Sequence, residues 1–294
     1  MYKRILVPLD GSKLSAGVLP YVRWLAPALK ATVELLHVND PARLAPYSPP
    51  MLDRDHFDKV AASFSGIANV QSTTEQGNPA EVIINKASAE PGTLVAMATH
   101  GYSGAMRWLL GSVAEKVFHA LTNDLLLVRP AASNENGKIE LKTVLVPLDL
   151  SQAAEKVLPT VSELANLLHL EVLLVHVTKH VYAGPSDALL PVFGAIPDLK
   201  KLWEQDKAQG DKYLNEKQNQ LRGQGLTHLS TRLLEGGVDG AAGEIVDLAQ
   251  KISGSLIAMT SHGQSGFGQW LVGSVTKRVV QHSHRPVLVV RPQS

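Results

Sequence analysis

The sequence THGYSGAMRWLLGSV at residues 99–113 returns as SHGQSGFGQWLVGSV at residues 261–275. Nine of the fifteen positions are identical, and every glycine of the first stretch recurs in the second. A second pair of stretches, ILVPLDGS at 5–12 and VLVPLDLS at 144–151, repeats in the same order. Self-similarity of this kind indicates two copies of one structural unit. The 294 residues therefore predict two domains of ordinary size.

The spacing between equivalent residues reveals an expansion in the second copy. Asp10 and Asp149 are 139 residues apart, whereas Gly101 and Gly263 are 162 residues apart. The second copy therefore contains 162 − 139 = 23 additional residues in its middle. We place them around residues 180–205.

A polar stretch separates the two copies. AASNENGKIE at residues 131–140 is rich in turn-forming side chains and lacks an apolar pattern. We therefore predict a first domain over residues 1–135 and a second domain over residues 136–294.

Within one copy, short apolar runs alternate with stretches of helical spacing. RILVPL at residues 4–9 is a continuous apolar run, typical of a strand that is buried on both faces of a sheet. The alternation predicts an α/β fold in which each copy forms an open, five-stranded parallel sheet with helices on both faces, as in Rossmann-like proteins. The predicted strands of the first copy are 4–9, 32–38, 69–77, 93–98 and 124–130, and its predicted helices are 12–29, 51–67, 79–90 and 112–121.

The composition argues against several classes of function. The formal net charge is +1, so there is no electrostatic reason to expect binding to nucleic acid or to an anionic membrane. The chain has no cysteine, which excludes disulfides, thiolate metal sites and thiol catalysis. No apolar run reaches the roughly 18 residues of a membrane span, and the first residues lack a signal-peptide pattern. We therefore expect a soluble, cytoplasmic protein.

The glycine-punctuated loop follows the predicted fourth strand and leads into the helix at Ser112. Ligands of open parallel sheets bind beyond the carboxyl ends of the strands. Gly101 and Gly111 allow the backbone to turn tightly and to approach a ligand. The first turn of the helix offers free N–H groups to a phosphate. Asp10, at the end of the first strand, is placed to bind a ribose hydroxyl or a phosphate-bound Mg²⁺.

Simpler structural interpretations compete with this functional one. Ser112 and Glu115 form an S-x-x-E capping box, so Ser112 could serve only to start its helix. The second copy lacks the box, because Lys277 stands three residues after Ser274. Asp10 could likewise be an ordinary N-cap of the first helix. Both alternatives stay open at the level of sequence.

The histidines and the absence of several known motifs reduce the number of functions that the sequence supports. His37 and His176 stand near the ends of equivalent strands, where a hydrogen-bonded structural role is commoner than ligation. HVTKH at 176–180 and HSH at 282–284 could recruit zinc, but the sequence identifies no third ligand. There is no Walker loop, no G-x-G-x-x-G after the first strand and no G-x-S-x-G elbow. No acid–base pair stands out, so we predict no catalytic residues and no metal site.

Taken together, these motifs resemble the universal stress protein family over nearly the whole chain, as two tandem copies. The resemblance is carried by the strand-plus-aspartate starts, the HV strand ends, the stretches VAMATHG and IAMTSHG, the stretches LLGSVAEKV and LVGSVTKRV, and the last strands LLLVRP and VLVVRP. Nucleotide-binding members of the family carry G-x-x-G, nine residues, and then G-[ST]. Gly101 and Gly263 are each followed by nine residues and a Gly-Ser pair.

The resemblance implies domains of the adenine nucleotide alpha hydrolase-like type that bind ATP or a related adenine nucleotide, with Mg²⁺. By this likeness Asp10 lies at the ribose or metal side, Val38 and Met97 lie near the adenine, and the glycine loop lines the phosphates. The residues implied in the first site are Pro8, Leu9, Asp10, Val38, Met97, Ala98, Gly101, Gly111, Ser112 and Val113. Those implied in the second site are Pro147, Leu148, Asp149, Val177, Met259, Thr260, Gly263, Gly273, Ser274 and Val275.

The chain departs from the family pattern at three positions. The first glycine of G-x-x-G is Ala98 in one copy and Thr260 in the other. Alanine adds one methyl group, and threonine adds a larger β-branched side chain, where the backbone approaches a phosphate or sugar. We therefore expect nucleotide binding at the first site in preference to the second. In addition, Asp124 stands where the second copy has Pro286.

The implied function is that of a cytoplasmic adenine-nucleotide-binding module of the stress response, with at most slow ATP hydrolysis. The family pairs domains through the last strand, so we expect the two copies to form an intramolecular pseudo-dimer. A homodimer of whole chains and an unidentified protein partner would extend this assembly. Two alternatives remain open: a partner-binding scaffold without nucleotide, and a binder of another small ligand or a metal in the second copy.

Overall fold

The computed structural model describes residues 1–42, 54–101, 110–129, 139–178, 199–261 and 272–291. Strands and helices alternate in both copies, as the apolar pattern predicts. The elements of the first copy are β1 (Arg4–Pro8), α1 (Lys13–Ala16), α2 (Leu19–Leu29), β2 (Thr32–Asn39), α3 (Arg54–Ala62), β3 (Val70–Gln76), α4 (Pro79–Ser88), β4 (Thr93–Ala98), α5 (Ser112–Ala120) and β5 (Leu125–Val128). Those of the second copy are β6 (Thr143–Pro147), α6 (Gln152–Glu155), α7 (Leu158–Leu168), β7 (Glu171–Val177), α8 (Leu199–Gly223), β8 (Leu229–Leu234), α9 (Gly240–Lys251), β9 (Ser255–Thr260), α10 (Ser274–His282) and β10 (Val287–Val290).

The helix that we expected over residues 12–29 is two helices, α1 and α2. Gly17 closes α1, and Pro20 stands in the first turn of α2. A proline inside a continuous helix would remove one backbone hydrogen bond and clash with the preceding turn. In the first turn of a new helix its missing N–H has no intrahelical partner to lose. The second copy breaks in the same way, with proline in the first turn of α7.

The five strands of each copy are parallel to one another, and their order reverses in the middle. β1 lies between β2 and β4, and β6 lies between β7 and β9. The chain crosses from the β2 side to the β4 side at this point, so the loops after β1 and β4 leave a crevice between them. This reversal is where open α/β sheets bind ligands.

The two sheets join edge to edge through the last strand of each copy. β5 pairs with β10 in antiparallel register, with Leu126 opposite Leu288. The result is one ten-stranded sheet in the order β3-β2-β1-β4-β5-β10-β9-β6-β7-β8. Because the junction pairs two strand edges with each other, it removes backbone groups that would otherwise attract a further strand.

Helices cover both faces of this sheet, and alternate strand residues feed two apolar layers. Ile5 and Val7 of β1 point into one layer, whereas Leu6 points into the other. This alternation follows from the two-residue period of a strand. Within the described part of the chain, no helix combines the length and apolar content that a membrane crossing needs.

Two arginines extend the junction from the strands to the helices. The guanidinium of Arg129, just after β5, donates a hydrogen bond to the carbonyl of Gln281 in α10. The guanidinium of Arg291, just after β10, donates to the carbonyl of Phe118 in α5. Carbonyls in the last turn of a helix have no helical partner and lie at the negative end of the helix dipole. Each arginine therefore binds the last helix of the opposite copy.

Asp124 makes the junction asymmetric. Its carboxylate accepts hydrogen bonds from the Tyr2 hydroxyl at 2.5 Å and from the backbone N–H of Arg291 at 2.7 Å. Burial raises the pKa of Asp124, although both donors oppose that shift. Burial also lowers the pKa of Arg291 to about 10. The positions equivalent to Tyr2 and Asp124 hold Leu141 and Pro286, so the second copy has no such contact.

Candidate functional site

The first cavity opens where the strand order reverses in the first copy. It has a volume of about 470 Å³, within the range of small-molecule sites. All ten residues that the sequence implicates in this copy line it, and they come from both sides of the reversal. They are Pro8, Leu9, Asp10, Val38, Met97, Ala98, Gly101, Gly111, Ser112 and Val113.

The second cavity occupies the equivalent position in the second copy and has a volume of about 570 Å³. Nine of the ten residues implicated there line it. They are Pro147, Leu148, Asp149, Val177, Met259, Thr260, Gly273, Ser274 and Val275. The tenth, Gly263, lies outside the described residues.

The carboxylate after the first strand of each copy organises the following helix without capping it. Asp10 Oδ1 accepts hydrogen bonds from the N–H of Ser12 at 3.0 Å and from its hydroxyl at 2.6 Å. Ser12 is the N-cap, since its hydroxyl accepts from the N–H of Ser15. Asp149 and Ser151 repeat the arrangement at 3.1 and 2.6 Å. The interpretation of Asp10 as the N-cap itself is therefore wrong.

The first glycine of the loop makes room for this carboxylate. A Cβ atom on Gly101 would lie 2.1 Å from Asp10 Oδ2, a distance that no side chain tolerates. The second glycine packs on the end of β4: the N–H of Gly111 donates to the carbonyl of Thr99 at 2.8 Å, and a Cβ would lie 3.3 Å from that oxygen. We predicted that Gly101 frees space for a ligand. The structure shows that Asp10 approaches this space.

The helices that follow the loops begin at the cavities. Gly111 is the N-cap of α5 and Gly273 is the N-cap of α10, and within the described residues no side chain caps either helix. Ser112 is therefore the first helical residue and not a capping-box serine, so that alternative is wrong. The first turn of each helix borders its cavity with the N–H groups and the positive dipole end that suit an anion.

The strand histidines have structural roles, as predicted. His37 Nδ1 lies 3.0 Å from the carbonyl oxygen of Leu9, and His176 Nδ1 lies 2.7 Å from that of Leu148. A carbonyl only accepts, so Nδ1 carries the hydrogen in both rings. Each histidine thereby fixes the end of one strand against the next, beside the cavity. Among the described residues, no group of three or more His, Cys, Asp or Glu side chains is arranged to hold a metal ion.

The similarity of this chain to known proteins follows the same division into two copies. The model of the universal stress protein family matches residues 1–129 and 140–291. The chain belongs to the universal stress protein family. A universal stress protein of Mycolicibacterium smegmatis is 25% identical over 308 residues, covering 98% of this chain and 97% of that protein. This chain is therefore a tandem universal stress protein.

Other relatives resemble one copy or show the fold. A universal stress protein of Methanocaldococcus jannaschii is 30% identical over 153 residues, covering 51% of this chain and 94% of that protein. The crystal structure of a universal stress protein from Archaeoglobus fulgidus superposes with a TM-score of 0.64 at 20% identity, over 99% of both chains. The described residues therefore have the fold of a universal stress protein.

Among the described residues, one wall of the second cavity has no counterpart in the lining of the first. α8 contributes Asp206 and Gln209 to the second cavity, which the sequence analysis missed. The available signal was Gly210 in the middle of a 25-residue helix, where glycine costs about 1 kcal/mol relative to alanine. A Cβ on Gly210 would lie 2.7 Å from His176 Cδ2 and 2.8 Å from Leu233 Cδ1. The glycine therefore lets α8 pack close to the sheet.

Proposed function

We propose that this universal stress protein binds an adenine nucleotide, as its magnesium complex, and acts as a nucleotide-responsive module in the stress response of the cytoplasm. One observation carries the proposal. The first cavity lies at the reversal of strand order and combines a carboxylate, Asp10, with the uncapped first turn of α5. A carboxylate suits a ribose hydroxyl or Mg²⁺, and a helix N-terminus suits a phosphate.

The lining of the first cavity fits the parts of such a ligand. Val38 and Met97 supply apolar surface for a base. Asp10 is held in place by Ser12, so its position does not depend on the ligand. Ser112 and Val113 offer backbone N–H groups to phosphate oxygens at the start of α5. Bound Mg²⁺ would neutralise phosphate charge near Asp10.

The second cavity combines the same kinds of residue as the first, but a bulkier residue stands where β9 leads into the glycine loop. Thr260, which is 4% exposed, stands where the first cavity has Ala98. We therefore propose weaker nucleotide binding in the second cavity than in the first. We also propose that the copies, divided between residues 135 and 136, act as an intramolecular dimer through β5 and β10, with no enzyme-like turnover in either copy.

Calorimetric titration of the whole chain with Mg·ATP tests the proposal. Gly111→Val and Gly273→Val each add a branched side chain at the start of one phosphate-facing helix. We expect Gly111→Val to remove the stronger binding event and Gly273→Val to leave it intact. Thermal unfolding of each variant checks that the fold is retained.

Two results would contradict the proposal. An intact wild-type chain that binds no Mg·ATP would favour a partner-binding scaffold, with the glycines serving the architecture alone. Phosphate release from ATP above about one turnover per second would indicate an enzyme instead of a binding module.

A further inference from the structure

The helix α8 is docked on the second cavity by contacts that the first copy lacks. Glu155, at the end of α6, accepts hydrogen bonds from the Tyr213 hydroxyl at 3.0 Å and from Lys217 Nζ at 2.7 Å. The equivalent position in the first copy is Ala16, which offers no such partner. Burial and the neighbouring Glu155 raise the pKa of Tyr213, so the hydroxyl remains a donor. These hydrogen bonds hold α8 in place against the end of α6.

Apolar packing fixes the depth at which α8 lies. Leu214 and Leu221 are each 2% exposed, on the same helix face as Gly210. Because Gly210 has no Cβ, the helix backbone approaches the ring of His176 directly. Asp206 lies one turn before Gly210 on this face, and it lines the second cavity together with Gln209. The close packing at Gly210 therefore sets the position of both polar side chains.

Three polar features line the second cavity, in the order in which β9, β6 and β7 lie in the sheet. The first turn of α10 follows β9, Asp149 follows β6, and Asp206 belongs to α8, which packs against His176 of β7 at Gly210. β6 lies between β9 and β7, so Asp149 lies between the strand that leads to α10 and the strand against which α8 packs. A nucleotide has its phosphate, ribose and base in this same sequence. With phosphate at α10 and ribose at Asp149, the base lies at α8.

We propose that Asp206 and Gln209 make the second cavity selective for an adenine base over a 6-oxopurine base. This inference rests on the proposed nucleotide function and specifies the base that the second cavity accepts. A carboxylate only accepts hydrogen bonds, with room for about four, so it binds an exocyclic amino group alongside its protein contacts. At the same ring position hypoxanthine and guanine carry a carbonyl oxygen, which a carboxylate repels. The discrimination therefore requires that Asp206 faces this position and not the N1–H donor that both of these bases carry. Gln209 supplies the paired donor and acceptor that suit the edge of adenine.

The experiment compares Mg·ATP with Mg·ITP in the full chain, with the first cavity silenced by Gly111→Val. The two nucleotides differ at one position of the base, an amino group against a carbonyl oxygen. We expect the second cavity to bind Mg·ATP about 10- to 100-fold more tightly, since a hydrogen bond to a charged group contributes on that scale. Asp206→Asn, whose amide both donates and accepts, should bring the two affinities within a few-fold of each other.

Substituting two glycines of α8 tests the position of Asp206 without changing its chemistry. Gly210→Ala should reduce the preference for Mg·ATP, because the added methyl group pushes α8 away from His176 while Asp206 stays in the sequence. Gly223→Ala is the matched control in the same helix, since a Cβ there meets no atom within 4 Å. It should leave both affinities unchanged.

The outcomes distinguish this inference from the function on which it rests. Equal affinities for the two nucleotides in the Gly111→Val chain, or a preference that Asp206→Asn does not change, would overturn the inference alone. So would a second cavity that binds neither nucleotide while the first binds Mg·ATP in the Gly273→Val chain. A chain that binds no nucleotide in either cavity would overturn both.

Discussion

The two copies of this universal stress protein share their sheet order and their cavity floor but differ in the connection between the second and third strands. In the first copy, α3 has nine residues, whereas in the second copy α8 has 25. The shared parts include the Asp–Ser pair after the first strand and a last helix whose N-cap is glycine. The connection can vary because its described part adds no strand to the sheet in either copy. The chain therefore keeps one cavity architecture while changing what one wall presents.

The largest effect in this comparison is expected from Gly101→Ala in the first copy. The methyl group would overlap Asp10 Oδ2, so the carboxylate must move and its bonds to Ser12 must weaken. Displacing a charged hydrogen-bonding group from a ligand costs about 1.5–3 kcal/mol of binding free energy, so we expect roughly 10- to 100-fold weaker binding of Mg·ATP in the first cavity. Calorimetry measures the loss, with Gly223→Ala as the control. An unchanged affinity would show that the carboxylate position is not needed for binding.

Exchanging Ala98 and Thr260 should bring the two cavities closer together. Thr260→Ala removes the β-branched side chain from the second cavity, and we expect about tenfold tighter binding of Mg·ATP there. Ala98→Thr should weaken the first cavity by a similar factor. Titration of both variants in chains with the other cavity silenced measures each change. If Thr260→Ala left the second affinity unaltered, another wall of that cavity would have to limit binding.

The junction between β5 and β10 allows a comparison of the two copies through pH, because the first copy has the partly buried carboxylate of Asp124 where the second has Pro286. The raised pKa of Asp124 means that the folded state holds the proton more tightly than the unfolded state. The free energy of unfolding should therefore fall as the pH rises from about 4 through the folded-state pKa of Asp124. Asp124→Asn should lose this contribution. Denaturant unfolding across this range tests it, and parallel pH profiles for the two proteins would contradict it.

The smallest effect should come from the serine at the start of the last helix in each copy. Ser112→Ala and Ser274→Ala remove one hydroxyl donor but keep the backbone N–H groups of the first turn. We expect about a threefold loss of affinity in the matching cavity, the scale of one neutral hydrogen bond. A loss above about 30-fold in either cavity would mean that the hydroxyl, and not the helix terminus, dominates phosphate binding.

Much of the fold follows from local sequence. Buried strands such as β1 and β4 are continuous apolar runs, and the repeat itself predicts that both copies share them. The break between α1 and α2 was missed because apolar spacing continues across it. Gly17 and Pro20 mark it only when turn chemistry is weighed above periodicity. The ten-stranded sheet needs both copies, so neither copy alone indicates its register.

The site was predictable where the motif is local and not where it depends on packing. Asp10, Gly101 and Gly111 are recognisable from the repeat, and all three line the first cavity. The reason for Gly101 is a contact with Asp10, which is 91 residues earlier in the chain (101 − 10 = 91). Asp206 belongs to the second cavity only because α8 packs closely at Gly210. The sequence pattern of α8 does not indicate how closely the helix packs against the sheet.

The pairing of β5 with β10 also sets the stoichiometry of the two cavities. Both strands belong to one chain, so their association is intramolecular and dilution does not reverse it. Separate subunits carrying these two kinds of cavity could also pair like with like, in proportions that follow expression levels. The single chain instead holds one cavity of each kind in every molecule. A response that compares how far each kind of cavity is occupied therefore always compares equal numbers of the two cavities, at any protein concentration.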